Sequence, residues 1–417
     1  MSFSLDSCVP APVCKSKTYK MDSTDRIMDI GKYLGDPEKA DWMSQGEAVA
    51  HNGYTLLTMP PKSVGTVLAS TTYMWYGSVK VRMKTSRGKG VVTAFILMSD
   101  VKDEIDYEWV GTQLTTSQTN YYFQGIPDCM SFRLLTLVMK VDMLTVAISD
   151  SNSANITLSD TYANWHEYEI QWTPDEIKWL VDGQVGRTTK KSSTWNATAN
   201  QWNFPQTPSR VQLSLWPGGL ESNAKGTIDW AGGVIDWESE EIKKYGYYFA
   251  SVGEITIDCW DAKSGAGTNK GVSYYYNDIR ATNDTVVDSN KPTVLKSFLG
   301  TGMDMDKGTP SKSSGSGSGS SATPSTPNSI PGGGNAPPAM VPGGGAPHHE
   351  DDGQDGSGEG GTGTDGAPAC EATGFTQNCN GNGGNGTPGS NAPRGVDRTL
   401  GGSAFAVIVG FAALLLF

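Results

Sequence analysis

The 417-residue chain is 37% apolar and 18% charged, holds 51 glycines and 22 prolines, and has a formal charge of −12. Such an acidic balance argues against a surface built to neutralise phosphate backbones, so nucleic acid is set aside as a partner. Every tryptophan lies between Trp42 and Trp260, whereas residues 301–403 contain 27 glycines, 11 prolines and one aromatic residue, Phe375, so an aromatic-rich domain precedes a tail too poor in apolar side chains to offset its ordering entropy.

The first twenty residues, MSFSLDSCVPAPVCKSKTYK, lack the apolar stretch of a secretory signal. The far end of the chain nevertheless carries a signal that requires export, so the true start is expected upstream of Met1. Segment 1–19 is set apart, and the domain is placed at 20–300, a length that one sandwich or barrel commonly reaches. The six cysteines, Cys8, Cys14, Cys129, Cys259, Cys370 and Cys379, have neither the C-x-x-C spacing nor the histidines of a zinc site. In an oxidising compartment the nearest pairings are Cys8 with Cys14 and Cys370 with Cys379, although spacing does not fix connectivity. Helix is expected only in short pieces such as Thr24 to Leu34.

From Thr18 to Trp260, short apolar or alternating runs are separated by Gly, Asp, Asn and Pro. Examples are 54–59 (YTLLTM), 77–84 (GSVKVRMK), 91–98 (VVTAFILM) and 211–216 (VQLSLW). Many short strands at this spacing predict an all-β sandwich. The segment Asp103-Glu104-Ile105-Asp106-Tyr107-Glu108-Trp109 sits between two such runs. On a strand, Glu104, Asp106 and Glu108 share one face and Ile105, Tyr107 and Trp109 take the other. An acidic solvent face or a calcium site would also read this way. The apolar, aromatic opposite face instead implies a strand buried on one side, and like charges stacked along one strand cost stability and usually signify function. The Cβ atoms of Glu104 and Glu108 are about 13 Å apart at roughly 3.3 Å per residue, and inward reach and sheet curvature bring the carboxyls within range of the 5–5.5 Å of a retaining glycosidase. Three anions this close cannot all stay ionised comfortably, so at least one carboxyl is expected to have a raised pKa and to serve as proton donor.

Residues 129–147 are long, apolar and unlike their turn-rich surroundings. They read as an inserted amphipathic helix or strand pair, or as an intron translated as coding sequence, and the second is favoured because Cys-Met-Ser and Met-Leu-Thr-Val at the segment's ends can be encoded around splice signals. A hairpin follows: 168–172, the turn Thr173-Pro174-Asp175, then 176–181 and Asp182-Gly183 as a two-residue turn before Gln184. Three N-x-[ST] triplets, at Asn155, Asn196 and Asn283, fit an exported surface.

Residues 301–390 form a Ser/Gly, then Pro/Gly, then Asp/Glu/Gly stretch, expected to be a flexible stalk. Beyond it come the small run Ser390-Asn391-Ala392, a polar spacer to Ser403 and fourteen uncharged residues, Ala404–Phe417. A span needs about 20 apolar residues, so this tail is too short to cross a membrane. It matches a glycosylphosphatidylinositol attachment signal over 391–417, with Ser390 or Asn391 as anchor site.

Glu104-Ile-Asp-Tyr-Glu108 resembles the catalytic E-x-D-x-E strand of glycoside hydrolase family 16, and 166–183 resembles the second signature hairpin of that family. With 103–109, Thr119-Asn-Tyr-Tyr122, Leu215-Trp-Pro-Gly-Gly219, Thr227-Ile-Asp-Trp-Ala-Gly-Gly233, a stalk and an anchor signal, the chain is similar to the fungal cell-wall Crh family of chitin–glucan transglycosylases. The resemblance implies a concanavalin-like β-jelly-roll sandwich with an open cleft. It makes Glu104 the nucleophile, Asp106 the auxiliary carboxylate and Glu108 the general acid/base. It further implies a chitin donor, a β-glucan or chitin acceptor, and no cofactor or metal. Tyr121, Trp216 and Trp230 are candidates by motif position to stack on sugar rings, with core packing about as probable for any one of them. His166 reads as structural. The implied location is extracellular, in the wall and at the outer face of the plasma membrane. A β-1,3- or mixed-linked glucan hydrolase and a non-catalytic carbohydrate-binding module remain open alternatives.

Overall fold

The computed structural model describes residues 5, 8–125 and 152–309. Two sheets, antiparallel but for one edge pair, pack face to face. One runs in the order Ala154–Thr157, Thr116–Tyr122, Glu104–Val110, Val91–Ser99, Ser209–Pro217, Thr66–Ser70, Trp42–Gln45 and Ile27–Asp29. The other runs Gln184–Lys190, Glu176–Val181, His166–Trp172, Gly77–Lys84, Tyr248–Cys259, Tyr54–Met59 and Ala48–His51, with Lys17–Lys20 paired to Tyr248–Cys259. Inward-facing side chains of both sheets form the main core, which includes Tyr107, Trp109, Tyr168, Trp172 and Trp179. This is the expected jelly-roll sandwich, and the alternation along Gly77–Lys84 shows how the residues produce it. Val79, Val81 and Met83 point inward, while Lys80, Arg82 and Lys84 point out.

The hairpin is formed where the turn residues ask for it. Asp182 and Gly183 both have positive φ, 51° and 77°, which joins Glu176–Val181 to Gln184–Lys190 with Val181 opposite Gln184. At the preceding turn the Thr173 hydroxyl accepts from the backbone N–H of Glu176 at 3.0 Å.

Three expectations are corrected. Thr24 to Leu34 is not a helix: Ile27–Asp29 pairs in parallel with Trp42–Gln45, and Asp41 holds the Arg26 guanidinium at 3.1 Å, so edge pairing overrides a weak local preference. Cys14 is not bonded to Cys8. It joins Cys259 across 245 residues, because Lys17–Lys20 pairs with the end of the Tyr248–Cys259 strand and leaves the two Cα atoms 6.0 Å apart. Cys8 is itself disulfide-bonded, while Cys370 and Cys379 lie outside the described residues. Residues 11–19 also belong to the domain rather than ahead of it, since Ala11–Pro12 pairs with Ser273–Tyr276. Residues 301–309, assigned to the stalk, fold back on the end of the domain, where the Lys296 N–H donates to the Met305 carbonyl at 3.0 Å; the 129–147 segment, the rest of the stalk and the anchor site at Ser390 or Asn391 lie outside the described residues. Among those residues no helix is long and apolar enough to cross a membrane.

Candidate active site

The Glu104–Val110 strand lies third from the edge, between Val91–Ser99 and Thr116–Tyr122. Its inner face is jammed with rings. Tyr107 stacks between Phe95 and Trp109 at centroid distances of 6.0 and 5.5 Å, and Trp109 meets Tyr168 edge-on at 4.5 Å. Two hydrogen bonds from one sheet to the other pin the strand: Tyr107 Oη donates to the Leu180 carbonyl at 2.8 Å, and Trp179 Nε1 donates to the Asp106 carbonyl at 2.9 Å. A one-residue slip would turn the three carboxylates into this aromatic core, so the inner face sets the register of the outer one.

Asp103 secures the start of the strand. Its buried carboxylate accepts from the backbone N–H groups of Gln124, Gln206 and Thr207, at 2.9, 2.8 and 3.1 Å, and from the Thr207 hydroxyl at 2.7 Å. Burial raises its pKa to about 6, with these hydrogen bonds pulling the other way. Sequence reasoning gave this residue no role, since an aspartate beside three other acids carries no separate signal.

On the outer face, ladder partners define what surrounds the carboxylates. Glu104 lies between Met98 and Tyr122, Asp106 between Ile96 and Asn120, and Glu108 between Ala94 and Gln118. One flank is therefore an apolar strip, Ala94, Ile96 and Met98, and the other is a row of hydrogen-bonding side chains. Glu104 and Glu108 are half-buried and Asp106 is buried. Burial, and secondly the negative charge of Glu104, push Glu108 up to about 8. No cation touches Glu108 among the described residues. A carboxyl in that state is protonated at neutral pH and can donate, while an ionised neighbour can act as nucleophile or base. Among the described residues no group of three or more His, Cys, Asp and Glu side chains is arranged to hold a metal ion.

The aromatic candidates separate. Tyr121 is opposite Ile105 and packs in the main core, so it is corrected: it faces away from the carboxylates, and Tyr122, opposite Glu104, is the tyrosine on their face. Trp216 is on the carboxylate side of the sheet but is 1% exposed, packed with Tyr33, Met43, Val67, Val92 and Ala231. It backs Trp230, whose ring stacks on it at 6.0 Å. Trp230 is half-buried, and its Nε1 donates to Gln118 Oε1 at 2.8 Å, beside Glu108. This second core cluster, with the helix Lys225–Trp230, covers one half of the sheet's outer face and leaves the carboxylates on the other half. His166 is far from them, on the opposite sheet, with Nδ1 2.7 Å from Asp182 Oδ2 and Nε2 3.0 Å from the Ser159 hydroxyl, as a structural residue would be.

Of the three N-x-[ST] asparagines, Asn155 is exposed. Asn196 is half-buried, its Oδ1 accepting from the N–H groups of Thr198 and Ala199, both at 3.0 Å. Asn283 is half-buried too, with Nδ2 3.4 Å from the Tyr76 hydroxyl.

Residues 36–232 match the family described as glycosyl hydrolases family 16. The chain is 61% identical over 308 residues to Crh-like protein 3 of Botryotinia fuckeliana, an alignment covering 74% of this chain and 65% of that protein. It is 50% identical over 309 residues to Crh-like protein 2 of Aspergillus fumigatus, covering 74% of this chain and 66% of that one. The chain thus spans just under two thirds of the length of these curated relatives. Among solved structures, the apo Crh5 transglycosylase superposes with a TM-score of 0.52 at 25% identity, covering 69% of this chain and 100% of that one.

Proposed function

Because residues 36–232 match the glycosyl hydrolases family 16 model and the chain is similar to Crh-like proteins, we propose that it is a retaining transglycosylase that cuts chitin and joins the released end to a β-glucan or chitin chain of the cell wall. The observation that carries this reading is the placing of Glu104, Asp106 and Glu108 on one face of one strand, with Glu108 raised to about 8. Glu108 gives its proton to the glycosidic oxygen as the Glu104 carboxylate attacks the anomeric carbon and forms a glycosyl ester. Asp106, between them, orients the nucleophile. An acceptor hydroxyl then gives its proton to the Glu108 carboxylate and attacks the same carbon, which releases Glu104 and restores the starting configuration. Trp230 supplies a ring for a sugar beside Glu108.

The product depends on what resolves the ester. If water does so, the same face is a hydrolase of glucan or chitin. Incubating the protein with a chitin oligosaccharide and a fluorescent glucan acceptor separates the outcomes. Labelled hybrid product is expected; shortened oligosaccharide alone would indicate hydrolysis, and an unchanged mixture a binding module. We further propose an extracellular location in the wall, with anchoring through Ser390 or Asn391 and a glycan on Asn155. Release of the protein from membranes by a phosphatidylinositol-specific phospholipase is the expected result, and retention after that treatment would refute the anchor.

A further inference from the structure

The sheet opposite the carboxylates carries rings on its solvent side, where alternation along the strands would place polar residues. Tyr54 and Trp165 meet edge-on at 5.3 Å, and Tyr162 and Phe249 meet at 6.2 Å. Both pairs line one cavity of about 240 Å³, together with Lys84, Thr85, Ala163 and Ser251. The roughly 300–1,000 Å³ usual for drug-sized ligands is larger, so this cavity is of a size for a single small ring. Its position is built in by the sheet. Lys84 and Ser251 are ladder partners on neighbouring strands, and their side chains point outward at the same level.

The rings are held in place. The Arg82 guanidinium lies 4.3 Å from the centre of the Trp165 ring, and that of Arg87 lies 4.3 Å from the Tyr162 ring. Gly253, in the bulge of the Tyr248–Cys259 strand, makes room for the first pair: a Cβ there would come within 2.9 Å of Arg82 Nη1 and 3.3 Å of the Trp165 ring edge. The cations are engaged rather than waiting for an anion. Arg87 pairs with Glu241 at 2.5 Å, Lys84 Nζ donates to the Ala163 carbonyl at 2.7 Å, and Arg82 rests on the indole. Rings with polar groups at the rim, and cations already turned to a carboxylate, a carbonyl and an indole face, match the apolar faces and hydroxyl edges of a neutral sugar.

We propose that this cavity is a second carbohydrate site, which takes one pyranose unit of a neutral β-linked polysaccharide and holds the domain on its polymer with the carboxylate sheet turned away from that contact. The naming of chitin and β-glucan as the polymer rests on the proposed function; the site itself rests on the rings.

The test uses the full chain carrying Glu104→Gln, so that turnover does not consume the polymer. Its retention on particulate chitin and on particulate β-1,3-glucan is compared with that of the same chain carrying Trp165→Ala and Tyr162→Ala. Loss of two ring faces at the usual worth of an aromatic contact predicts roughly tenfold weaker retention on at least one polymer. A second variant, Ala163→Trp, fills the cavity from an exposed position without removing any ring, and is expected to weaken retention in the same way. The same substitutions in the Glu104 background are expected to leave the rate on short soluble oligosaccharides unchanged. Retention unaltered by both variants, or binding that high salt abolishes, overturns the proposal. Undiminished turnover in the Glu104→Gln chain would instead sink the catalytic reading and leave the retention comparison intact.

Discussion

Glu108 and Glu169 are glutamates on interior strands of the two sheets, and their surroundings differ in kind. Glu169, 5% exposed, accepts from the Ser78 hydroxyl at 2.6 Å and from Gln171 Nε2 at 2.8 Å, and lies 3.7 Å from Lys80 Nζ. Lys80 is correspondingly held above its ordinary pKa by Glu169 and Glu167. Glu108 has Ala94 on one side and the charge of Glu104 along its own strand, and its pKa rises to about 8. A buried carboxylate furnished with donors and a cation has been made part of the scaffold. One left with burial and a like charge is poised to give up or take a proton, and its cost in stability marks it as functional.

The comparison breaks first on activity. Glu108→Gln and Glu104→Gln are each expected to lower the transfer rate by about 10³-fold or more, in line with the upper range for a lost acid/base group, while Glu169→Gln changes it by no more than about twofold. Equal losses at Glu108 and Glu169 would show that enclosure alone, not the like charge, matters. Stability should divide them the other way. Glu169→Ala leaves Ser78 and Gln171 without their acceptor and is expected to cost about 1–3 kcal/mol in denaturant unfolding, whereas Glu108→Gln is neutral or stabilising near pH 8.

The titration of Glu108 sharpens the contrast. Its folded pKa lies above the unfolded value of 4.5, so the folded chain keeps a proton that the unfolded chain releases. The contribution of Glu108 to stability therefore falls as pH rises from about 4.5 to about 8 and is level above that. That fall should be absent in Glu108→Gln. The kcat/KM for transfer should decline as pH rises through about 8, as the acid is lost. Following the Glu108 carboxyl by NMR in Glu104→Gln should show its pKa lowered, because one of the two causes has been removed; an unmoved titration would mean that burial acts alone. The smallest effect is expected at Gln118→Ala, which frees Trp230 Nε1 and should raise KM a few-fold, as the loss of one net hydrogen bond of about 1 kcal/mol implies.

The strands were legible wherever alternation was clean, as in 77–84 and in 176–181 with its Asp182-Gly183 turn, because both signals act over a few neighbouring residues. The same local rule read Thr24 to Leu34 as helical and missed that its middle is an edge strand, since pairing with Trp42–Gln45 is not written in the segment itself. Among the ring candidates, motif position did not distinguish Tyr121 from Tyr122. Only the register against Glu104–Val110 tells which of two adjacent tyrosines shares the carboxylates' face. The outward rings at Tyr54, Tyr162, Trp165 and Phe249 come from three separate stretches of chain, and nothing in any one stretch announces the others.

Side-chain alternation along an extended backbone is a property of neighbouring bonds, so the sequence by itself determined that Glu104, Asp106 and Glu108 stand together and that Ile105, Tyr107 and Trp109 stand behind them. Whether those acids are paired, how far Glu108 is pushed from its ordinary pKa, that Cys14 meets Cys259, and which tyrosine looks outward were decided only by the tertiary structure. Each depends on residues distant in sequence, whose approach follows from how two sheets close over one core.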